Sequence, residues 1–525
     1  MSSPDDSDIP EELRASFQRM MRGVKGMPNG NPAKLREIMT GLYNGTLDIS
    51  EMPGPTGRNR EISVPIQKLD KCGVCFQTTS LRLCNSCASA IYCSRECQRA
   101  DWRDHKRFCS QTQQINLKVF YPLIAYLFDT LRRQVPKSLD SFPKNIDPYI
   151  LSVYEGFGIR KEPRPLSHPA LSQRIIRATM PGPRRATESE NTQHHTVVLG
   201  DTYNLQISQI PDAAKLAKWW RGKTWADAMR FYVHVVRETD ILEVTVAVSL
   251  LLLSEVYSTR LSKPRSTDDS GKPISEWEPR SGYRLEFGRS PVSDFGICKG
   301  RIQGKANRVQ TWTYYHPQPN TRTTVLDSDN HYWMYFRTIK GEEITLDCCS
   351  FAYGMTGCVD ASPCLTALSE VFRDWGSTRT PAYFHPSNVQ EESHMLIEEQ
   401  RFSVMQNTLL HGALGWEVSG ARDEGQRVRL RQFIHQVQGT PCTPAQEERI
   451  NDFRTHGGLL LDQILVGKCW KDWEKPSVHS RDESFDSGKL RADLFTKASK
   501  QDPEYNGKLK GLVGMFMEAS GQISN

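Results

Sequence analysis

The sequence predicts an α+β protein with three parts: a small cysteine-rich module near its N-terminus, a larger mixed helix and sheet body, and a helical C-terminal region. Three observations predict it. The chain has 525 residues, enough for about three units at roughly 150 residues each. Seven of its 14 cysteines crowd into the 38 positions from Cys72 to Cys109. Elsewhere the spacing of apolar residues changes from three or four to two and back again. With 24% charged and 38% hydrophobic residues, the chain reads as globular rather than as a membrane channel or a wholly disordered protein. Sixty-seven Lys and Arg against 61 Asp and Glu leave a formal charge of +6. That excess is too dilute for a dedicated nucleic-acid binder.

Residues 1–69 read as a helical segment and a linker. Leu13, Phe17, Met20 and Met21, then Leu35, Ile38, Met39 and Leu42, recur at helical spacing, and the Pro- and Gly-bearing stretch 50–69 leads to a boundary near 70. The first eight residues are acidic and polar, unlike a secretory signal, which points to an intracellular protein of nucleus or cytoplasm. After the module (70–110), residues 111–180 read as helical: Leu123, Ile124, Leu127, Phe128 and Leu131 form one stripe behind Pro122, which suits a first turn. Residues 181–193, with His194 and His195, read as loop. The α+β body (195–375) opens with a strand at 196–199 and continues with a helix over 224–259. The apolar run 244–253 in that helix is about half the ~20 residues that cross a bilayer, so it reads as buried and no membrane contact is expected. Period two then governs 283–351, with a hairpin from 332–339 through Lys340 and Gly341 into 343–347. From 376 to 525 helical spacing returns, through Met395, Leu396, Phe402 and Met405, then 459–465, and finally Leu509, Leu512, Val513 and Phe516.

The cysteine cluster is Cys72-x2-Cys75-x8-Cys84-x2-Cys87-x5-Cys93-x3-Cys97-x7-His105-x3-Cys109. Eight thiol and imidazole donors fill two tetrahedral sites, and four protein ligands per ion leave no open position, so two structural Zn²⁺ are expected. A Cys-x2-Cys pair forms a tight knuckle, whereas x3 spacing places ligands one helical turn apart. Six basic residues (Arg82, Arg95, Arg99, Arg103, Lys106, Arg107) against Glu96, Asp101 and Asp104 leave +3 within the segment. Seven thiolates and two zinc ions contribute −3, so the cations offset the metal centres rather than marking a phosphate face. So small a segment has almost no core without metal, and binding and folding become one event.

This run closely resembles the MYND-type zinc finger, in its two knuckles, Tyr92-Cys93-Ser94, Cys97-Gln98, Trp102 and the closing His105-Lys106-x2-Cys109. The resemblance implies a cross-brace, with Cys72, Cys75, Cys93 and Cys97 on one zinc and Cys84, Cys87, His105 and Cys109 on the other. It also implies docking of short proline-containing peptides of partner proteins at Gln98 and Trp102, which x3 spacing puts on one helical face, with Ala90 and Ile91 as further lining. The module thus points to a regulatory or adaptor protein.

Two enzymatic alternatives concern the body. Lys340-Gly-Glu-Glu-Ile344 superficially resembles a segment of SET-type methyltransferases, which also carry such fingers, but the Asn-His-Ser-Cys run of that family is missing. His331 and Asp347 on adjacent strands suit a Cys-His-Asp thiol enzyme, yet the preceding long helix contains no cysteine and Cys298 falls in a strand and turn. Cys348, Cys349, Cys358 and Cys364 lack knuckle spacing and read as buried thiols. No catalytic residue is assigned.

Overall fold

The computed structural model describes residues 62, 64–106, 109, 111–132, 168–178, 193–203, 205, 213–258, 282–303, 310–353, 357–366, 379–386, 395–414 and 424–479. The helices expected in 10–46 and 509–516 lie outside the described residues.

In the cysteine-rich module, β1 (Arg82–Leu83) pairs antiparallel with β2 (Ile91–Tyr92) ahead of α1 (Arg95–His105). β3 (Gln113–Asn116) runs straight into α2 (Leu117–Arg132). α2 starts five residues before Pro122, because the Asn116 side chain accepts from the Lys118 N–H (3.0 Å) and caps the helix there. Pro122 therefore sits inside the helix, against the expectation that it opens it. α2 is buried almost throughout, and its two buried charges are paired: Arg237 Nε donates to Asp129 (2.9 Å), and Arg132 donates to the carbonyls of Phe128, Arg237 and Cys348.

The chain continues through α3 (Pro169–Ser172), β4 (Gln173–Ala178), β5 (Gln193–Thr202), α4 (Ala213–Trp219), α5 (Trp225–Glu238) and α6 (Ile241–Leu251). Next come β6 (Tyr283–Phe287), β7 (Ser290–Gln303), β8 (Gln310–His316), β9 (Thr321–Thr324), β10 (His331–Thr338) and β11 (Glu343–Asp347). The last elements are β12 (Cys358–Asp360), α7 (Ser362–Leu365), β13 (Arg379–Pro381), β14 (Tyr383–Pro386), β15 (Met395–Ser403), α8 (Thr408–Leu414), α9 (Glu424–Gln438), α10 (Pro444–Gly467) and β16 (Val478–His479).

The main sheet has seven strands in the order β14-β11-β10-β7-β6-β3, with β15 also on β7. β3 is its outer strand and pairs parallel with β6; the hairpin β10–β11 carries the expected register, Met334 opposite Leu346. Gly296 and Gly300 let β15 lie close on β7: a Cβ at either would stand 2.0 Å from the Phe402 carbonyl oxygen or 1.9 Å from that of Ile397. α2 and α6 cover the sheet and α10 packs on α6, joining Leu123, Phe128, Leu250, Phe295, Phe336 and Leu461 in one core. The apolar run is α6, buried as expected, and no helix among the described residues is long and apolar enough to cross a membrane. A second core, around Trp219, Trp220, Phe231, Trp312 and Tyr314, lies between α4, α5 and the sheet β4-β5-β8-β9.

Several expectations change. The helix over 224–259 breaks at Asp240, whose φ of +57° ends one helix and whose carboxylate pairs with Arg449. His194 and His195 are strand rather than loop: β5 begins at Gln193 and pairs in parallel with β8, placing the buried His195 ring 4.5 Å from Trp312. Segment 111–180 contains β3 and β4 as well as helix. Met395, Leu396 and Phe402 have helical spacing but lie on β15, where backbone pairing to β7 prevails, and the C-terminal helices begin at Thr408.

Candidate metal centre

Both knuckles of the module fold alike, for local reasons. The residues after the second cysteine of each pair, Phe76 and Ala88, take left-handed φ angles of 63° and 48°. Their N–H groups bond back to the carbonyls of Cys72 (3.1 Å) and Cys84 (2.8 Å). The Val74 N–H points to Cys72 Sγ (3.5 Å) and the Ser89 N–H to Cys87 Sγ (3.4 Å). These turns orient two sulfurs at a time without glycine at the strained positions. Ser94 caps α1 by accepting from the Cys97 N–H (3.3 Å), which sets Cys93 and Cys97 one turn apart at the start of the helix.

The eight donors gather in two groups of four, with ligand atoms within 4.8 Å of one another in each: Cys72, Cys75, Cys93, Cys97; and Cys84, Cys87, His105, Cys109. In the first group, Cys93 Sγ lies 3.2 Å from Cys75 Sγ and 3.6 Å from Cys97 Sγ. In the second, Cys84 and Cys109 Sγ are 3.7 Å apart, and Cys87 Sγ is 3.5 Å from His105 Nε2. Tetrahedral zinc with Zn–S near 2.3 Å separates its sulfurs by about 3.8 Å, so both groups fit the ion.

The electrostatics agree. Burial works to raise the thiols of Cys72 and Cys84, but backbone amides outweigh it and hold them at about 6 and about 7. Burial and the neighbouring Cys84 push Cys87 up to about 12, and hydrogen bonding to Cys75 does the same to Cys93. Sulfurs this close, four in the first group and three in the second, cannot all carry charge by themselves, and a divalent cation between them removes the conflict. Two structural zinc ions account for the full donor set.

Three features around the ligands escape spacing arguments. Tyr92 donates its hydroxyl to Asp101 (2.5 Å) and sets its ring edge-on to His105 at 5.8 Å, fixing that imidazole. Arg284, from β6 of the body, is 5% exposed and sits opposite Gln114 of β3; the Gln114 amide, oriented to satisfy both neighbours, accepts from Arg284 Nη2 (2.7 Å) and donates to Glu286 (2.8 Å). Burial lowers the Arg284 pKa, while Glu286 and the thiolates of Cys87 and Cys84 oppose that shift. A body cation thus feels the charge of the second metal group, 175 residues beyond Cys109, where no local pattern could announce it. Ile91, expected to line a groove, is instead buried in β2, and its carbonyl accepts from the Gly73 N–H (2.9 Å).

The fully buried His331 lies 2.8 Å through Nε2 from Asp347 Oδ2, so these two do meet. Asp347 also accepts from the backbone of Cys349 and Ser350. The Cys298 thiol instead donates to Glu398 (3.3 Å), inside β7, and burial and that carboxylate raise its pKa, the reverse of nucleophile activation. Gly341, at φ +84°, turns the β10–β11 hairpin, and Glu342 bonds Thr338 across it, which accounts for the Gly-Glu-Glu run. Cys348, Cys349 and Cys364 are buried, and burial raises all three thiols. They form no metal-binding group with Cys358 among the described residues.

Residues 72–109 match the family described as MYND finger. No curated protein matches the chain. No solved structure matches it either. With the ligand geometry and the family match in agreement, residues 72–109 constitute a MYND finger, a zinc-binding protein-interaction module carried by a mixed helix and sheet body.

Proposed function

We propose that the finger docks short proline-containing segments of partner proteins and that the chain acts through this contact as an adaptor or regulator. The observation that carries the reading is the solvent-facing placement of Trp102, 47% exposed on α1, with Gln98 one turn earlier on the same face. An indole offers a flat apolar face with one polar N–H, a combination enriched at interfaces. One side of Trp102 rests on the His105 ring at 5.9 Å, and Gln98 Nε2 donates to Cys84 Sγ (3.6 Å), so both are anchored to the second metal group. The metal therefore pre-orders the platform, which lowers the ordering cost of binding. The Gln98 amide retains a second hydrogen and its oxygen for a peptide backbone. All 14 cysteines are free of disulfides, which supports work in a reducing compartment.

Trp102→Ala tests the reading in the full-length protein loaded with two zinc ions. Binding of labelled proline-containing peptides, followed by fluorescence polarisation, is expected to weaken at least tenfold, in the range of a hot-spot truncation. Native mass spectrometry should still count two metals. Unchanged peptide capture would refute the docking surface.

A further inference from the structure

We infer that the segment docked at Trp102 carries acidic residues beside its proline, received by Arg95, Arg99 and Lys106. The inference rests on the docking reading and adds a charge requirement to it. At 100° per residue, these three cations fall within about 60° of Trp102 around α1, whereas Glu96, Asp101 and Asp104 lie about 100° or more away. Arg95, Arg99 and Lys106 are all exposed, and none makes an ion pair among the described residues.

Two of these three acids are already engaged. Asp101 accepts from the Tyr92 hydroxyl, and Glu96, hydrogen-bonded by Ser94, feels Arg99 and Arg95 only from the flank of the helix. The zinc-binding sulfurs draw their hydrogen bonds from backbone amides and from Gln98, not from these cations. The charge balance of the whole module therefore conceals a local separation, with thiolates inside and, around the apolar platform, three cations that make no ion pair among the described residues. Complementary charge at the rim of an interface speeds encounter and rejects wrong partners. A nucleic acid is the less suited occupant: the cationic strip is a single 11-residue helix flanked by three acids, on a chain of net charge only +6.

The test uses the full-length zinc-loaded protein and three labelled peptides sharing one proline core, flanked by Asp and Glu, by Asn and Gln, or by Lys and Arg. The acidic peptide should bind roughly tenfold more tightly than the neutral one at low salt, an advantage that shrinks as salt screens it. The variant R95Q/R99Q/K106Q should lose that advantage while keeping the neutral peptide's affinity and both metals. Equal binding of acidic and neutral peptides by the unmodified protein would overturn the charge requirement and leave docking intact. Failure of all three peptides would overturn docking and this inference together. Tighter binding of a short DNA duplex than of the acidic peptide would assign the cations to nucleic acid and overturn the inference.

Discussion

At the scale of single residues, Glu238 is the centre of a buried charged cluster in the body. His168 donates to its Oε2 (2.9 Å), the Tyr314 hydroxyl bonds the same oxygen, and His234 stands 2.9 Å from Oε1, with all four residues buried. Burial acts to raise the Glu238 carboxyl, but His234 and His168 outweigh it and hold the carboxyl at about 2 against an ordinary 4.5. Burial also lowers His168 from its ordinary 6.5, against the pull of Glu238. Between folded and unfolded values the unfolded chain binds more protons at both residues. Their contribution is therefore complete at neutral pH, declines as His168 begins to charge below 6.5, and falls further as the pH drops from 4.5 towards 2. Glu238→Gln is expected to cost about 3 kcal/mol in urea unfolding at pH 7 and to flatten the acid side of the stability curve. Identical slopes for variant and wild type would remove Glu238 from this role. Ligand residues such as Cys72 and His105 were legible because zinc spacing is local in sequence, but Glu238 gathers partners from positions 168 and 314, and no periodicity encodes that meeting.

At the scale of elements, legibility followed sequence separation. The β10–β11 hairpin could be read because its turn and both strands lie within 17 residues, from His331 to Asp347. The break at Asp240 depends on Arg449 of α10, and the strand state of His195 depends on β8, so neither shows in the local pattern. β15 is the sharpest case, since its apolar spacing fits a helix and only two glycines on β7 reveal the strand that must approach them. Gly296→Ala should lower stability by about 3 kcal/mol, near the upper end for overpacking. Hydrogen exchange should locate the added opening in residues 395–403 and 295–303. A fully stable variant would show that β15 does not need that close approach.

At the scale of the whole molecule, the finger and body share a seam in which β3 follows Cys109 by four residues and Arg284 feels the charge of the second metal group. Removing zinc with a chelator should release both ions and erase amide protection across 72–106 and 113–116, while the β10–β11 hairpin keeps its protection. Retained protection at 113–116 in the metal-free protein would show that the seam stands without the finger. The family match covers only residues 72–109, so the identity of the body rests on its own packing rather than on likeness. β3 is also an edge strand of the seven, lying alongside Tyr283–Phe287. If it peels away, β6 is left with a bare rim of amide and carbonyl groups, the kind of template on which neighbouring copies stack. Metal starvation would then present itself as clumping together with lost partner capture, and the zinc would serve as a guard against self-association as much as a scaffold.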